Sequence, residues 1–268
     1  MRGTVRWTGA VLAACALLAG CSGDEPDAAS DDGSGSHASM SIADHCAEVQ
    51  RTDADATVTV LTGDGLTLPA ADFVSESPNG TVLVLLHQTG VLGLCGWATF
   101  APQAAAAGLS SVAIDMCGYA AAQCDGGEAT PPEDQVALAV THAREELGAD
   151  TVVLVGASMG GSQTVVAVAH GVDVDGWVDV SGPAVWEGTT LLDLAPDVQA
   201  RGLPGLVAHA PDDDAQQYAA AQALAPATGA EFLDAQSDHG WFLLDDNQGT
   251  LRPDGQAVID FASSIQAG

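Results

Sequence analysis

Between Thr57 and Gln266 the chain alternates short apolar runs with longer mixed segments. Thr81-Val82-Leu83-Val84-Leu85-Leu86 is the purest run, and Ser111-Val112-Ala113-Ile114-Asp115 and Thr151-Val152-Val153-Leu154-Val155 follow it. Runs this short, bounded by turn residues and rich in β-branched side chains, predict buried strands. Gly176 to Val180, Leu203 to Ala210 and Glu231-Phe232-Leu233 continue the series. Upstream, Thr57 to Leu61 and a run from Leu66 to Val74 flank Thr62-Gly63-Asp64-Gly65, a hairpin signal. Helices are expected from Trp97 to Ala107, from Pro131 to about Gly148, from Ser162 to His170, from Thr190 to Ala200, from Ala215 to Leu224 and from Pro253 to Gln266. Glu133 and Asp134 fall in a first helical turn, where acidic groups favour the dipole. Strands alternating with helices predict a mostly parallel sheet covered on both faces, with an antiparallel hairpin at one edge.

One junction in this pattern carries chemistry. The strand ending at Val155 runs into Gly156-Ala157-Ser158-Met159-Gly160-Gly161 and then a helix. Strand, G-x-S-x-G and helix together make the nucleophile elbow. Gly156 and Gly160 let the backbone pass close to its neighbours, so Ser158 sits strained at the tip. The Met159 N–H then points to where an oxyanion would form, and the helix N-terminus adds partial positive charge. A Gly-rich turn with an idle serine is the plainer alternative; the flanking strand and helix favour the catalytic one.

Composition changes the picture at the N-terminus. Arg2 and Arg6 precede an apolar stretch from Thr8 to Leu18, which reads as a secretory signal over residues 1–20. Its end, Leu18-Ala19-Gly20-Cys21, resembles a bacterial lipobox, which implies cleavage before Cys21 and lipid attached to that thiol. Residues 21–42 are rich in Ser, Gly, Asp and Ala and are expected to be a disordered tether, with the folded domain at 43–268. The expected address is therefore extracytoplasmic, on the cell membrane. Net charge is −30, from 6 Arg and no Lys against 36 acidic residues. Such a chain repels nucleic acid and anionic headgroups, so no nucleic-acid partner is expected.

Cysteine usage agrees with export. With Cys15 in the signal and Cys21 lipidated, Cys46, Cys95, Cys117 and Cys124 remain, and four cysteines allow three pairings. The pairing expected here is Cys117 with Cys124, closing a short loop, and Cys46 with Cys95, pinning the N-terminal segment to a loop after an early strand. A zinc site lacks C-x-x-C spacing and a convincing His partner, so no metal is expected.

The order of elements resembles the α/β-hydrolase fold over nearly the whole of residues 57–266, and His239-Gly240-Trp241 resembles the small esterases of the dienelactone-hydrolase type. That resemblance implies an eight-stranded, mostly parallel sheet and a nucleophile, acid and histidine in that chain order, each after a strand. Ser158 takes the first place. His239, in Asp238-His239-Gly240-Trp241 after the last strand, takes the third and is the expected base. The acid lies in Asp212-Asp213-Asp214; likeness to H-G-x-x-D selects Asp213, and one of the three is expected to be only the N-cap of the next helix. His87-Gln88-Thr89-Gly90 resembles the H-G-x-G oxyanion loop, with Gln88 where glycine is usual; its backbone N–H would join that of Met159 as oxyanion donors. His87 is expected to be buried and bonded to loop carbonyls. Asp115-Met116-Cys117-Gly118 resembles the D-x-x-G loop after the fourth strand. His209 reads as a core or supporting residue; His37, His45, His142 and His170 have no place in the constellation.

Between Gly182 and Leu203 there is room for one helix, so little or no cap is expected over an open site that Trp97, Trp186 or Trp241 could line. The function expected is a serine hydrolase cleaving a carboxylic ester of a small acyl substrate, without a cofactor. A peptidase, a thioesterase or a haloperoxidase-like enzyme would share the same three residues, and a non-catalytic surface lipoprotein would keep only the fold.

Overall fold

A computed structural model describes residues 39–246 and 249–265. The expected signal segment, Cys21 and His37 lie outside the described residues. Eight main strands occur in the order the pattern predicts: β1 (Thr57–Gly63), β2 (Leu66–Phe73), β3 (Thr81–Leu86), β4 (Ser110–Ile114), β5 (Thr151–Ala157), β6 (Gly176–Val180), β7 (Gly205–His209) and β8 (Glu231–Asp234). They lie side by side as β1-β2-β4-β3-β5-β6-β7-β8. The β1–β2 and β2–β4 pairs are antiparallel, and every pair from β4 onward is parallel. Two further two-residue strands join the sheet, Met40–Ser41 against β1 and Gln123–Cys124 against β2.

The strands are apolar on both faces because both faces are covered. Val82, Val84 and Leu86 of β3 join one core cluster, whereas Leu83 and Leu85 join the other. The first cluster is closed by α2 (Pro132–Glu145), α3 (Met159–Ala169), α4 (Leu191–Arg201) and α5 (Ala215–Thr228). The second is closed by α1 (Phe100–Ala106) and α6 (Pro253–Ser264). Burying each such Val or Leu contributes roughly 1.5–3 kcal/mol.

Several boundaries differ from the pattern, most clearly at α1, at α5 and at the elbow. The expected helix from Trp97 is a 3₁₀ segment, Gly93–Ala98, followed by the shorter α1. Helix α5 continues through Pro226 to Thr228, beyond Leu224. At the elbow, β5 extends to Ala157 and α3 begins at Met159, so Ser158 alone separates strand from helix. Gly156 and Gly160 punctuate nothing; they lie within the two elements.

The N-terminal segment is more ordered than its composition predicts. The expected tether reaches residue 42, yet Met40 and Ser41 pair with β1 and Ile42 is fully buried. Cys46 is joined to Cys95, and Cys117 to Cys124. The first link ties this segment to the 3₁₀ turn after β3, where the Leu94 N–H also donates to Asp115 Oδ1 at 2.8 Å.

Candidate active site

Ser158 occupies the one-residue turn with φ 50° and ψ −114°, a conformation that non-glycine residues rarely adopt. Its neighbours hold it there. A Cβ at Gly156 would lie 1.9 Å from the Gly160 carbonyl oxygen, and one at Gly160 would lie 2.3 Å from the Leu86 carbonyl oxygen. Any side chain at either position would push strand and helix apart. The Ser158 N–H donates to Val180 O at 2.8 Å, and the Gly160 N–H to His87 O at 3.2 Å. The serine is therefore clamped between the ends of β3 and β6.

His239 stands after β8, on an extended residue that opens the 3₁₀ turn Gly240–Leu243. Its Nε2 lies 2.7 Å from Ser158 Oγ and its Nδ1 lies 2.6 Å from Asp213 Oδ2. A carboxylate only accepts, so Nδ1 carries a proton and donates to Asp213. Nε2 of the neutral ring then accepts from the serine hydroxyl. A hydroxyl, an imidazole and a carboxylate from three distant loops thus form one line of hydrogen bonds, which can move the serine proton onto the ring.

The acidic triplet divides its work. Asp213 backs His239. Asp214 is the N-cap of α5, its Oδ1 accepting the N–H groups of Gln216 and Gln217 at 2.9 Å. Asp212 is exposed. His209 is buried behind Asp213, with Nε2 3.7 Å from Asp213 Oδ2 and Nδ1–H donating to the Ala210 carbonyl at 3.3 Å. Burial pushes its pKa down, against smaller opposing effects of Ala210 and Asp213.

His87 is wholly buried, donating from Nδ1 to the Gln88 carbonyl at 2.7 Å and accepting the Met116 N–H at Nε2, 2.9 Å away. Burial lowers its pKa, the Gln88 bond and Asp115 opposing that, and both bonds suit the neutral ring. It ties the loop after β3 to the loop after β4. Gln88 and Met159 are each one residue from the Gly160 N–H···His87 O bond. Among the described residues their own N–H groups have no protein acceptor, as an oxyanion site requires.

No family model matches the chain, and no curated protein sequence matches it. Solved structures do. The enol-lactonase from Burkholderia xenovorans superposes with a TM-score of 0.57 at 18% identity, covering 77% of this chain and 100% of its own. An esterase from Pyrococcus furiosus gives 0.58 at 13%, covering 80% and 92%. Est1E from Butyrivibrio proteoclasticus, in a structure with ferulic acid bound, gives 0.57 at 15%, covering 76% and 96%. The fold is that of the α/β-hydrolases.

Within the α/β-hydrolase fold, Ser158, Asp213 and His239 follow β5, β7 and β8, so all three stand at the same edge of the sheet. Of the three tryptophans proposed as lining, Trp97 and Trp241 are core residues, packed edge to face with ring centroids 6.1 Å apart. Trp186 alone is partly exposed, in a two-residue strand pair (Val185–Trp186 with Thr189–Thr190) that precedes α4.

Two site neighbours escaped the sequence reading. Asp179, within β6, is 1% exposed, accepts the Gly182 N–H at 2.8 Å and lies against Gly161 of the elbow helix. Burial pushes its pKa up to about 7, the Gly182 bond working the other way. Its only sequence signal was a carboxylate inside an apolar strand. Ser181, the next residue but one, is buried with φ 58° and directly follows Val180, which pairs with Ala157 at the end of the ladder; nothing in the chain's pattern marked it. Among the described residues no cluster of metal-ligating side chains occurs.

Proposed function

We propose that this protein is a serine hydrolase that cleaves a carboxylic ester or a related acyl bond through an acyl-enzyme. The observation that carries the reading is the Asp213–His239–Ser158 line, with contacts of 2.6 and 2.7 Å. Ser158 Oγ attacks the substrate carbonyl carbon while His239 Nε2 takes the hydroxyl proton. Negative charge gathers on the former carbonyl oxygen, opposite the Gln88 and Met159 N–H groups. The imidazolium returns its proton to the leaving alkoxide, and the acyl group stays on Ser158. Water, deprotonated by the same ring, then releases the acid. Asp213 fixes the ring tautomer and stabilises its charged form. The names of the structural neighbours, an esterase and an enol-lactonase among them, point to ester chemistry of this kind.

The chain is further proposed to work outside the cytoplasm, held to the membrane by lipid on Cys21, with a small acyl ester as substrate. Thioester and peptide substrates would use the same three residues.

A fluorophosphonate probe should label the purified protein at Ser158, and a panel of p-nitrophenyl esters of graded acyl length should be turned over. Ser158→Ala should abolish labelling and lower turnover by at least 10³-fold, leaving only what binding and the oxyanion donors supply. A folded wild-type protein that takes no label and hydrolyses none of the esters would remove the reading. Globomycin-sensitive processing, or mass spectrometry of the mature N-terminus, would test the lipid on Cys21.

A further inference from the structure

We infer that the Gln88 side chain is a brace that holds His239 in line with Ser158, acting through Gly240. The inference rests on the hydrolase reading above for its consequence, though not for its geometry.

Gly240 follows His239 directly and has φ 59°. A Cβ built on it would lie 2.1 Å from Gln88 Oε1, 3.3 Å from Gln88 Cδ and 3.9 Å from Ala157 Cβ. The Gln88 amide therefore fills the space that a side chain at position 240 would need. It lies against the backbone just past the imidazole, on the side of Gly240 that also approaches Ala157, the last residue of β5. Its Oε1 is buried and, among the described residues, accepts no hydrogen bond. What the amide does at this position is close the gap against the Gly240 backbone.

The other supports of His239 come from different directions. Asp213 holds Nδ1, the Phe242 N–H donates to the His239 carbonyl at 3.2 Å, and Trp241 packs behind, against Gly96 and Trp97. Gln88 joins the histidine turn to the loop that offers the oxyanion donor. One residue then serves two parts of the site: its backbone N–H faces the oxyanion and its side chain sets the base. This accounts for glutamine where the related loop motif has glycine. Glycine at 88 would keep the N–H and leave a gap beside Gly240.

The test uses three variants, Gln88→Ala, Gln88→Met and His239→Ala, and the double variant of the first with the third. All keep the residue-88 backbone donor. Gln88→Ala should lower kcat for p-nitrophenyl esters about 10–100-fold, the scale of a misplaced catalytic group, with KM little changed. Methionine is unbranched and of similar length, so Gln88→Met should restore most of the rate. In the His239→Ala background, Gln88→Ala should have no further effect, since the group it positions is gone. An activity-independent readout is the downfield proton resonance of the His239 Nδ1–H···Asp213 bond, which should be present in wild type and broadened or lost in Gln88→Ala.

Wild-type kcat in Gln88→Ala, failure of Gln88→Met to restore it, or an additive loss in the His239→Ala background would overturn the inference. So would an unchanged Nδ1 resonance in Gln88→Ala. If wild type neither hydrolyses esters nor takes the fluorophosphonate label, the hydrolase reading falls, and the resonance alone still decides whether Gln88 braces the histidine. Should Gln88→Ala not fold, the comparison of Gln88→Met with Gln88→Asn, which is too short to reach Gly240, decides it.

Discussion

Asp212, Asp213 and Asp214 are chemically identical, and only their surroundings separate them. Asp213 meets the imidazole, Asp214 turns its carboxylate back onto its own helix, and Asp212 faces water. Three substitutions should therefore give three results. Asp213→Asn can no longer hold the protonated Nδ1, and kcat should fall about 10⁴-fold, the loss seen when a triad carboxylate becomes an amide. Asp214→Ala should keep activity and lose about 1 kcal/mol of unfolding free energy, the usual worth of an N-cap. Asp212→Asn should change neither. Ester kinetics and urea unfolding of the same samples check all three. The likeness of His209-Ala210-Pro211-Asp212-Asp213 to a known loop pointed to Asp213, and it is Asp213 that lies beside His239. That Asp214 was the cap followed only from where the helix dihedrals begin. Gln88 shows the opposite limit. Its backbone placement was readable from the loop motif, but the reach of its side chain to Gly240 depends on how two loops, far apart in sequence, fold over one strand end.

At the level of elements, the elbow was legible because its constraints are local. Gly156, Ser158 and Gly160 sit on one strand–turn–helix unit, and the apolar run before them fixes the strand. The exact junction was not legible, since Gly156 serves the close approach of strand to helix and Gly160 that of the helix to β3, and neither makes a turn of its own. Asp179 bears on the same unit from β6. Its folded-state pKa of about 7 lies above the ordinary 3.8. Between those values the folded protein keeps a proton that the unfolded chain releases, so the unfolded state binds fewer protons and stability falls as pH rises. Above about pH 7 both forms are ionised and the effect is constant. Asp179→Asn, which still offers an oxygen to the Gly182 N–H, should remove that slope. The check is the urea midpoint at pH 4.5 and 7.5. Wild type should lose on the order of a few kcal/mol more than the variant over this interval, at about 1.4 kcal/mol per pKa unit. An equal pH response in both proteins would show that Asp179 is ionised throughout.

For the whole molecule, the strand order brings the chemistry together. Parallel pairing of β3, β5, β6, β7 and β8 puts all their C-terminal loops on one edge, which is why residues 88, 158, 213 and 239 can meet. The alternation of strand and helix made that arrangement predictable, because double-sided burial leaves few other solutions. The N-terminal segment was harder to read. Its small, polar composition masks one fully buried isoleucine, Ile42, and a covalent tie at Cys46 to the loop beside the site. Closing a long loop of this kind restricts the unfolded chain far more than the short Cys117–Cys124 link does.

The same edge carries one further consequence. Between Gly182 and Leu203 the chain spends its length on a two-residue strand pair and α4, and the His239 side chain is 42% exposed. Among the described residues, this stretch offers no flap for an oil–water boundary to peel back. Raising a short-chain ester past its solubility limit, so that droplets form, should therefore produce no jump in rate; the velocity should level off with the dissolved fraction.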